Sequence, residues 1–182
     1  SGLVGSEMCI RDRSYGLAYG LSAYGLSQQL GISTGAAKTL MDTYFERFGG
    51  VRDYLAQIVA DARKLGYTES MFGRRRYLPD LNSDNRQLRE MAERMALNAP
   101  IQGTAADIMK LAMLKVHSAL RAGEYKSRLL LQVHDELVLE IAEGELESIT
   151  KLVTECMHGA ADLSVPLDVS VGVGKTWAKA GH

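Results

Sequence analysis

The sequence predicts an α+β fold in which a helical region is followed by part of an antiparallel sheet. Apolar residues recur at three- and four-residue steps across residues 33–65, which is typical of amphipathic helices. Two short apolar runs, residues 129–133 and 137–141, flank a polar centre and predict an antiparallel hairpin. Residues 165–173 alternate apolar and polar side chains, which predicts a final strand. We expect the remaining strands of this sheet to lie upstream.

Capping residues and glycines mark the helical boundaries. We expect one helix from a cap at Ser33 to the pair Gly49-Gly50, and a second helix that ends at Gly66. Residues 67–79 interrupt the helical period and contain three consecutive arginines, so they predict a short basic hairpin.

The third long helix begins near Asn85 in this interpretation. Because Pro100 lacks an N–H and clashes with the preceding turn, we expect a kink or break near Asn98. Thr104 has the spacing of a new N-terminal cap, and Gly123 marks the end of the helix it begins. A last helix follows the hairpin, and its apolar stripe is Leu146, Ile149, Val153 and Met157.

The composition is that of a globular protein. Of 182 residues, 46% are hydrophobic and 24% charged, which is enough apolar content for a core. No apolar run approaches the roughly 20 residues of a membrane span, and no secretory leader is visible, so we expect a cytoplasmic protein without a membrane partner. Cys9 and Cys156 lack closely spaced partners, which argues against a disulfide framework or a zinc site.

The charge is unevenly distributed although the formal net charge is only −1. Between Asp135 and Asp168 the acidic residues greatly outnumber the single basic residue, Lys151. This asymmetry predicts one region that faces phosphate and another that holds a metal ion. The basic cluster in the middle of the chain is Arg74, Arg75, Arg76, Arg86, Arg89 and Arg94.

The polar centre of the predicted hairpin, His134-Asp135-Glu136, is the strongest candidate for chemistry. A carboxylate at the tip of a hairpin can link Mg²⁺ to a nucleotide phosphate without surrounding the ion. The alternative is an ordinary polar turn, since Asp is common in turns.

Aromatic rings and glycines recur together near the N-terminus, where Tyr15 and Tyr19 could stack on a base or a sugar. The alternative is a helix that packs its tyrosines into a core.

Three polar residues, Arg94, Asn98 and Gln102, follow one another at four-residue steps and could form a stripe that contacts nucleic acid. The alternative is a solvated helical face.

Three segments in order resemble the signatures of family A DNA polymerases. They are SYGLAYG at 14–20, NAPIQGTAADI at 98–108 and QVHDEL at 132–137. The resemblance extends from Ser14 to His182 and implies two parts. Residues 14–84 would be a fingers-like helical part with a basic hairpin, and residues 85–182 a palm-like part that carries the His134-Asp135-Glu136 hairpin.

The resemblance implies a function and its partners. The protein would add deoxynucleotides to a primer 3′ end under the direction of a template, with two Mg²⁺ ions, and would act as a monomer. Its partners would be primer-template DNA and deoxynucleoside triphosphates.

The resemblance also implies roles for individual residues. Tyr15 and Tyr19 would contact the incoming nucleotide, and Asp135 would bind the metal with support from Glu136, the two forming the catalytic pair. The DNA contacts would be Arg94, Asn98, Gln102 and His134.

The N-terminal segment departs from the family pattern. No residue before Ser14 supplies the first metal-binding aspartate, and residues 7–13 resemble the translation of a transposon adapter used in library preparation. We therefore interpret residues 1–13 as non-native and expect the isolated chain to be inactive. Two alternatives remain: a non-catalytic DNA-binding remnant, and a fragment similar to single-subunit RNA polymerases, against which the QVHDE segment argues.

Overall fold

The structure, a computed structural model, describes residues 22–180 and divides into two compact units at Thr104. Its helices and short antiparallel hairpins confirm the predicted α+β class. The first unit contains α1 (Ala23–Leu30), α2 (Thr34–Arg47), α3 (Gly49–Leu65), β1 (Tyr67–Glu69), β2 (Arg75–Tyr77) and a 3-10 turn (Pro79–Asn82). Helix α4 (Arg86–Ala122) begins in the first unit and ends in the second, which continues with β3 (Arg128–Val133), β4 (Glu136–Glu140), α5 (Leu146–His158) and α6 (Trp177–Ala180).

The predicted boundaries of α2 and α3 are close to the observed ones. The hydroxyl of Ser33 accepts a hydrogen bond from the N–H of Ala36 at 3.2 Å, which confirms Ser33 as the cap of α2. Helix α3 ends before Gly66, whose φ of 77° lies in the left-handed region that glycine adopts without strain. The pair Gly49-Gly50 begins α3 rather than lying in a gap between helices.

The predicted basic hairpin is present as β1 and β2, which pair antiparallel with Tyr67 opposite Tyr77. The guanidinium of Arg75 lies 4.5 Å from the centre of the Tyr67 ring and forms an ion pair with Glu69 at 3.2 Å. The first unit also has an apolar cluster that consists of Ala62, Leu78, Leu81, Ala92 and Ala96.

Helix α4 shows that the helix does not break near Asn98, which was one of the two outcomes predicted there. It is helical from Arg86 to Ala122 with Pro100 inside it, so Thr104 is an internal residue and not a cap. A proline removes one helical hydrogen bond, but Ala92, Ala96 and Pro100 are all buried at four-residue steps. This continuous buried face explains why the helix persists through the proline.

The second unit packs the hairpin of β3 and β4 against two helices. Its core combines residues of α4 and α5, with Val116 and Ile149 almost completely buried. One face of the hairpin contributes Leu129, Leu137 and Leu139 to this cluster. The apolar alternation that predicted the hairpin therefore marks the face that packs on the core.

The predicted final strand is not formed, because residues 165–173 pair with no strand within the described part of the chain. A strand needs a neighbour to accept and donate its backbone hydrogen bonds. Val165 is 68% exposed, and the Nδ1–H of His158 donates to the carbonyl oxygen of Leu167 at 2.8 Å. The alternating apolar pattern of this segment therefore shows that it could form a strand, although it forms none here.

Candidate active site

The tip of the second hairpin consists of two residues, His134 and Asp135. Strands β3 and β4 pair Val133 with Glu136, so Glu136 belongs to the strand and not to the turn. A bulge between Leu129 and Leu131 adds one residue to β3. The two outer pairs are Arg128 with Glu140 and Leu129 with Leu139. Without the bulge their register would continue to the end of the hairpin, and the loop would contain three residues. The bulge therefore determines which side chains occupy the tip.

His134 has a backbone conformation that a side chain disfavours. Its φ is 52°, in the left-handed region where a residue with a Cβ is strained by about 1–2 kcal/mol. The side-chain amide of Gln132 donates to the carbonyl oxygen of His134 at 2.7 Å and braces the turn. A strained residue at a turn motivates the hypothesis that its side chain or its geometry serves the site.

The carboxylate at the tip, Asp135, and the carboxylate beside it, Glu136, differ in their surroundings. Asp135 is exposed, whereas Glu136 is half-buried and engaged in an interaction with another group. In residues 22–180 no group of three or more His, Cys, Asp or Glu side chains is arranged to hold a metal ion. Mg²⁺ is commonly held by one or two carboxylates plus substrate phosphates, so Asp135 fits the role of one such carboxylate.

The predicted polar stripe lies on one helical face. Because α4 is unbroken, Arg94, Asn98 and Gln102 are displaced from one another by only about 40° per step around the helix. Arg94 and Gln102 are exposed, whereas Asn98 is half-buried. The side-chain oxygen of Asn98 is buried and lacks a hydrogen-bond partner among the described residues.

The arginine cluster is partly engaged in structural contacts. Arg86 pairs with Glu90 at 2.7 Å, and this contact, first by its hydrogen bond and then by its charge, lowers the pKa of Glu90. Arg89 donates to the carbonyl oxygen of Ser83 at 2.9 Å. Within the described residues Arg76 and Arg94 form no ion pair. These two cations are therefore the better candidates for contacting phosphate.

Sequence reasoning missed a polar junction between the start of β3 and α5. The hydroxyl and the N–H of Ser127 donate to the carboxylate of Glu145 at 2.6 and 2.9 Å, and the N–H of Lys126 donates at 3.1 Å. The Ser127 hydroxyl, followed by the two backbone N–H groups, lowers the pKa of Glu145. No local sequence signal marks this junction, because its partners are 18 or 19 residues apart.

A second missed junction holds the turn of the first hairpin. The hydroxyl oxygen of Thr104 accepts from the N–H of Met71 at 3.0 Å, and the hydroxyl oxygen of Ser70 accepts from Phe72 and Arg74. A Cβ on Gly103 would approach the Cβ of Ser70 to 3.3 Å, so the turn lies directly against α4. The spacing around Thr104 suggested a helix cap. Its actual partner, Met71, lies 33 residues away in the sequence and leaves no local signal.

Two predicted nucleotide contacts and the membrane expectation remain to be compared with the structure. Tyr15 and Tyr19 lie outside the described residues. No helix of the described chain combines the length and apolar character needed to cross a bilayer.

Comparison with known proteins gives a consistent family match. The model of DNA polymerase family A matches residues 10–179. DNA polymerase I of Mycobacterium tuberculosis is 63% identical over 173 residues, which cover 95% of this chain and 19% of that protein. DNA polymerase I of Streptococcus pneumoniae is 52% identical over 167 residues, covering 92% of this chain and 19% of the relative. The chain thus spans about a fifth of the length of these relatives.

A solved structure is also similar over nearly the whole chain. It is the POL domain of Pol1 from Mycobacterium smegmatis, in complex with DNA primer-template and dNTP. The TM-score is 0.92 and the identity is 61%, over 95% of this chain and 30% of that one. The family match favours the DNA polymerase interpretation over the RNA polymerase alternative. Because it begins at residue 10, within the segment interpreted as non-native, the boundary after residue 13 stays a prediction.

Proposed function

This chain belongs to DNA polymerase family A, and on that premise we propose that it is part of an enzyme that extends a DNA primer along a template. The substrates would be primer-template DNA and deoxynucleoside triphosphates, the two ligands in the complex of the similar Mycobacterium smegmatis domain. The work of the enzyme would be replication and repair synthesis.

The observation that carries the proposal is the position of Asp135. Its carboxylate is exposed on a two-residue turn whose register is set by a bulge, and the hairpin beneath it is packed on a buried core. A carboxylate that must contact a metal–phosphate complex needs access to the complex and a fixed position. A turn mounted on rigid strands supplies both.

The reaction assigns separate tasks to the residues at this tip. The primer 3′ oxygen would attack the α-phosphorus of the nucleotide, and pyrophosphate would leave. Asp135 would supply an oxygen ligand to Mg²⁺, Glu136 would support that carboxylate from the first position of β4, and His134 would lie near the primer end. When bound, two Mg²⁺ ions would stabilise charge on the attacking and leaving oxygens.

The stripe on α4 would bind the DNA. Arg94 and Gln102 are exposed donors that can contact phosphate, sugar and base edges, and the half-buried Asn98 lies between them on the same helical face. None of these contacts requires a change of protonation, which suits residues that position DNA.

Further parts of the proposal rest on the sequence. Tyr15 and Tyr19 would contact the incoming nucleotide, as the family resemblance implies. We also propose a monomeric, cytoplasmic enzyme and a non-native origin for residues 1–13.

A chimera tests the proposed activity. Residues 22–180 would replace the corresponding part of Mycobacterium tuberculosis DNA polymerase I, and primer extension would be measured with Mg²⁺. We expect extension by the chimera and a rate roughly 10³-fold lower after Asp135→Asn, since each 1.36 kcal/mol of lost transition-state stabilisation costs tenfold in rate. Asp162→Asn, at an exposed position of the same unit outside the hairpin, is the matched control. Unchanged extension by Asp135→Asn would contradict the proposal.

The isolated 182-residue chain is expected to bind DNA without extending it. Within residues 22–180, Asp135 and Glu136 belong to no group of three or more acidic, histidine or cysteine side chains that could hold a metal ion, whereas a two-metal site uses several carboxylates. Incubation with primed template, Mg²⁺ and all four nucleotides should give no elongated primer, and metal-dependent elongation would refute this expectation.

A further inference from the structure

The open end of the second hairpin is closed by a polar clasp, which consists of Ser127, Ala142 and Glu145. Ser127 directly precedes β3, Ala142 lies just after β4, and Glu145 is the residue that caps the start of α5. Both strands of the hairpin therefore meet their supporting helix at the clasp. We propose that Glu145 is a positioning residue for the reaction, because its carboxylate fixes the hairpin that carries Asp135, a role that rests on the proposed polymerase function.

Hydrogen bonds join the three residues of the clasp in a closed ring. The N–H of Ala142 donates to the hydroxyl oxygen of Ser127 at 2.9 Å, and that hydroxyl donates to the carboxylate of Glu145 at 2.6 Å. The ring closes where the N–H of Glu145 donates to the carbonyl oxygen of Ala142 at 3.1 Å. Because each residue is bonded to the other two, removing one member leaves only a single bond between the remaining pair.

The carboxylate of Glu145 has donors on both of its oxygens. One oxygen accepts from the N–H of Lys126 at 3.1 Å, and the other accepts from both the N–H and the hydroxyl of Ser127. Ser127 is only 5% exposed, so water competes little for these contacts. A glutamine side chain has a single acceptor oxygen, so Glu145→Gln must lose at least one of them.

The clasp holds the end of the hairpin where the outer register is set. The outer pairs are Arg128 with Glu140 and Leu129 with Leu139, and the bulge follows Leu129. A slip of one residue at this end would remove the bulge and turn Leu129 away from the core cluster to which it belongs. The clasp opposes this slip because it joins the strands beyond the outer pairs. The position of Asp135 relative to the core therefore depends on the register that the clasp holds.

The other polar contact at this end of the hairpin is weaker. Arg128 and Glu140 form an ion pair at 2.6 Å, but their side chains are 71% and 55% exposed. Exposed ion pairs contribute little because water and salt compete with them. The clasp combines a buried hydroxyl with three donors on one carboxylate, so it is the stronger anchor of the two.

A loosened clasp should impair the chemical step rather than DNA binding. A carboxylate that contacts a metal–phosphate complex must be held within a fraction of an ångström of its productive position. The residues proposed to bind DNA on α4 belong to a different element, which the clasp does not fix. A role in positioning therefore predicts a loss of rate at constant DNA affinity.

The first test measures primer-template affinity and single-turnover incorporation separately in the chimeric polymerase. Glu145→Gln should lower the rate by about tenfold and raise the Mg²⁺ concentration that gives half the maximal rate, with DNA affinity changed less than about twofold. Glu143→Gln makes the same charge change at an exposed position two residues away, and it should leave both quantities unchanged. Ser127→Ala, which retains both N–H donors, should cause a smaller loss of rate than Glu145→Gln.

The second test follows hydrogen exchange in the full 182-residue chain and needs no catalysis. The backbone amides of β4 should exchange about tenfold faster in Glu145→Gln than in the unaltered chain, because the hairpin opens more often. The amides of residues 106–122 in α4 should keep their rates, which separates a loosened hairpin from general unfolding. Glu143→Gln should again match the unaltered chain.

Several outcomes would overturn the inference. They are unchanged exchange in β4, equal acceleration in α4, and a rate loss that only follows lost DNA affinity. If Asp135→Asn lowers the rate of the chimera and Glu145→Gln does not, the positioning role alone is wrong. If neither substitution lowers the rate, the proposed function is contradicted as well.

Discussion

The two hairpins of this chain place different kinds of residue at the turn position that has a positive φ. In the hairpin of β1 and β2, the residue with positive φ is Gly73, at 79°, and the turn is held by hydroxyl groups of Ser70 and Thr104. In the hairpin of β3 and β4, it is His134, at 52°. The first turn uses glycine where glycine is unstrained, while the second retains a side chain where glycine would fit better.

This difference indicates that the two turns serve different purposes. The first turn is fastened to α4 and fixes the position of a basic strand, so its conformation is a matter of structure. The second turn has a strained histidine beside an exposed carboxylate, and we propose that this strain serves the function of the site. Changes at the first turn should therefore alter stability, and changes at the second should alter activity more than stability.

The largest effect is expected from a substitution that removes the core beneath the second hairpin. Ile149 is 1% exposed in the core beneath β3 and β4, so Ile149→Ala should lower the free energy of unfolding by about 2–5 kcal/mol. Urea denaturation followed by circular dichroism measures this change. Leu146→Ala, on an exposed position of the same helix, is the control and should cost much less. Equal losses in both variants would show that this core does not support the hairpin.

The next effect concerns the strained turn. His134→Gly should be more stable than His134→Ala by about 1 kcal/mol, because glycine adopts the left-handed conformation without a Cβ clash. In the chimeric polymerase both variants should nevertheless extend a primer more slowly than the parent. The free energies come from urea denaturation and the rates from single-turnover extension. A glycine variant with full activity would remove the functional explanation of the histidine.

A smaller effect is expected at the first turn. Thr104→Val removes the hydroxyl that accepts from Met71, and the exposed position of Met71 lets water replace part of that contact. The cost should be about 0.5 kcal/mol and confined to the first hairpin. Hydrogen exchange of the Met71 amide should accelerate, while amides of β3 should be unaffected. Thr43→Val, which removes a hydroxyl contact within α2, provides the control.

The smallest effect is a change in acid sensitivity. Because the pKa of Glu145 is lowered in the folded chain, its contribution to stability is present at neutral pH and above the ordinary glutamate pKa. That contribution declines as the pH falls below the ordinary value and is lost below the folded value. Ser127→Ala should therefore reduce stability more at pH 7 than at pH 3 in parallel urea titrations. A loss of equal size at both pH values would show that the Ser127 contact does not act through this carboxylate.

Local signals in the sequence predict much of this fold. The cap at Ser33, the glycine after α3 and the alternation of β4 each depend on residues that are neighbours in the chain. Both hairpins are predictable for the same reason. The pentapeptide around Asp135 is a candidate site on sequence grounds because two carboxylates and an imidazole lie between apolar strands, and its role stays a prediction.

The wrong predictions depend on distant contacts. The helix continues through Pro100 because the face that includes Ala92 and Ala96 is buried by residues far away in the sequence. Residues 165–173 have the period of a strand, but pairing also requires a neighbouring strand. The alternation of apolar and polar residues also does not reveal the bulge in β3 or the left-handed conformation of His134. Both are set by how the two strands pair.

The most direct test of the division between a DNA-binding stripe and a reactive tip uses two variants of the chimeric polymerase. For each, primer-template affinity and the single-turnover incorporation rate are measured under the same conditions. Arg94→Gln should weaken DNA binding by about tenfold with a smaller change in rate, because it removes a charged hydrogen bond. Asp135→Asn should lower the rate roughly 10³-fold with DNA affinity unchanged. If Asp135→Asn instead incorporates nucleotides at the parental rate, or loses rate only in proportion to lost DNA binding, the assignment of Asp135 to the chemical step is contradicted.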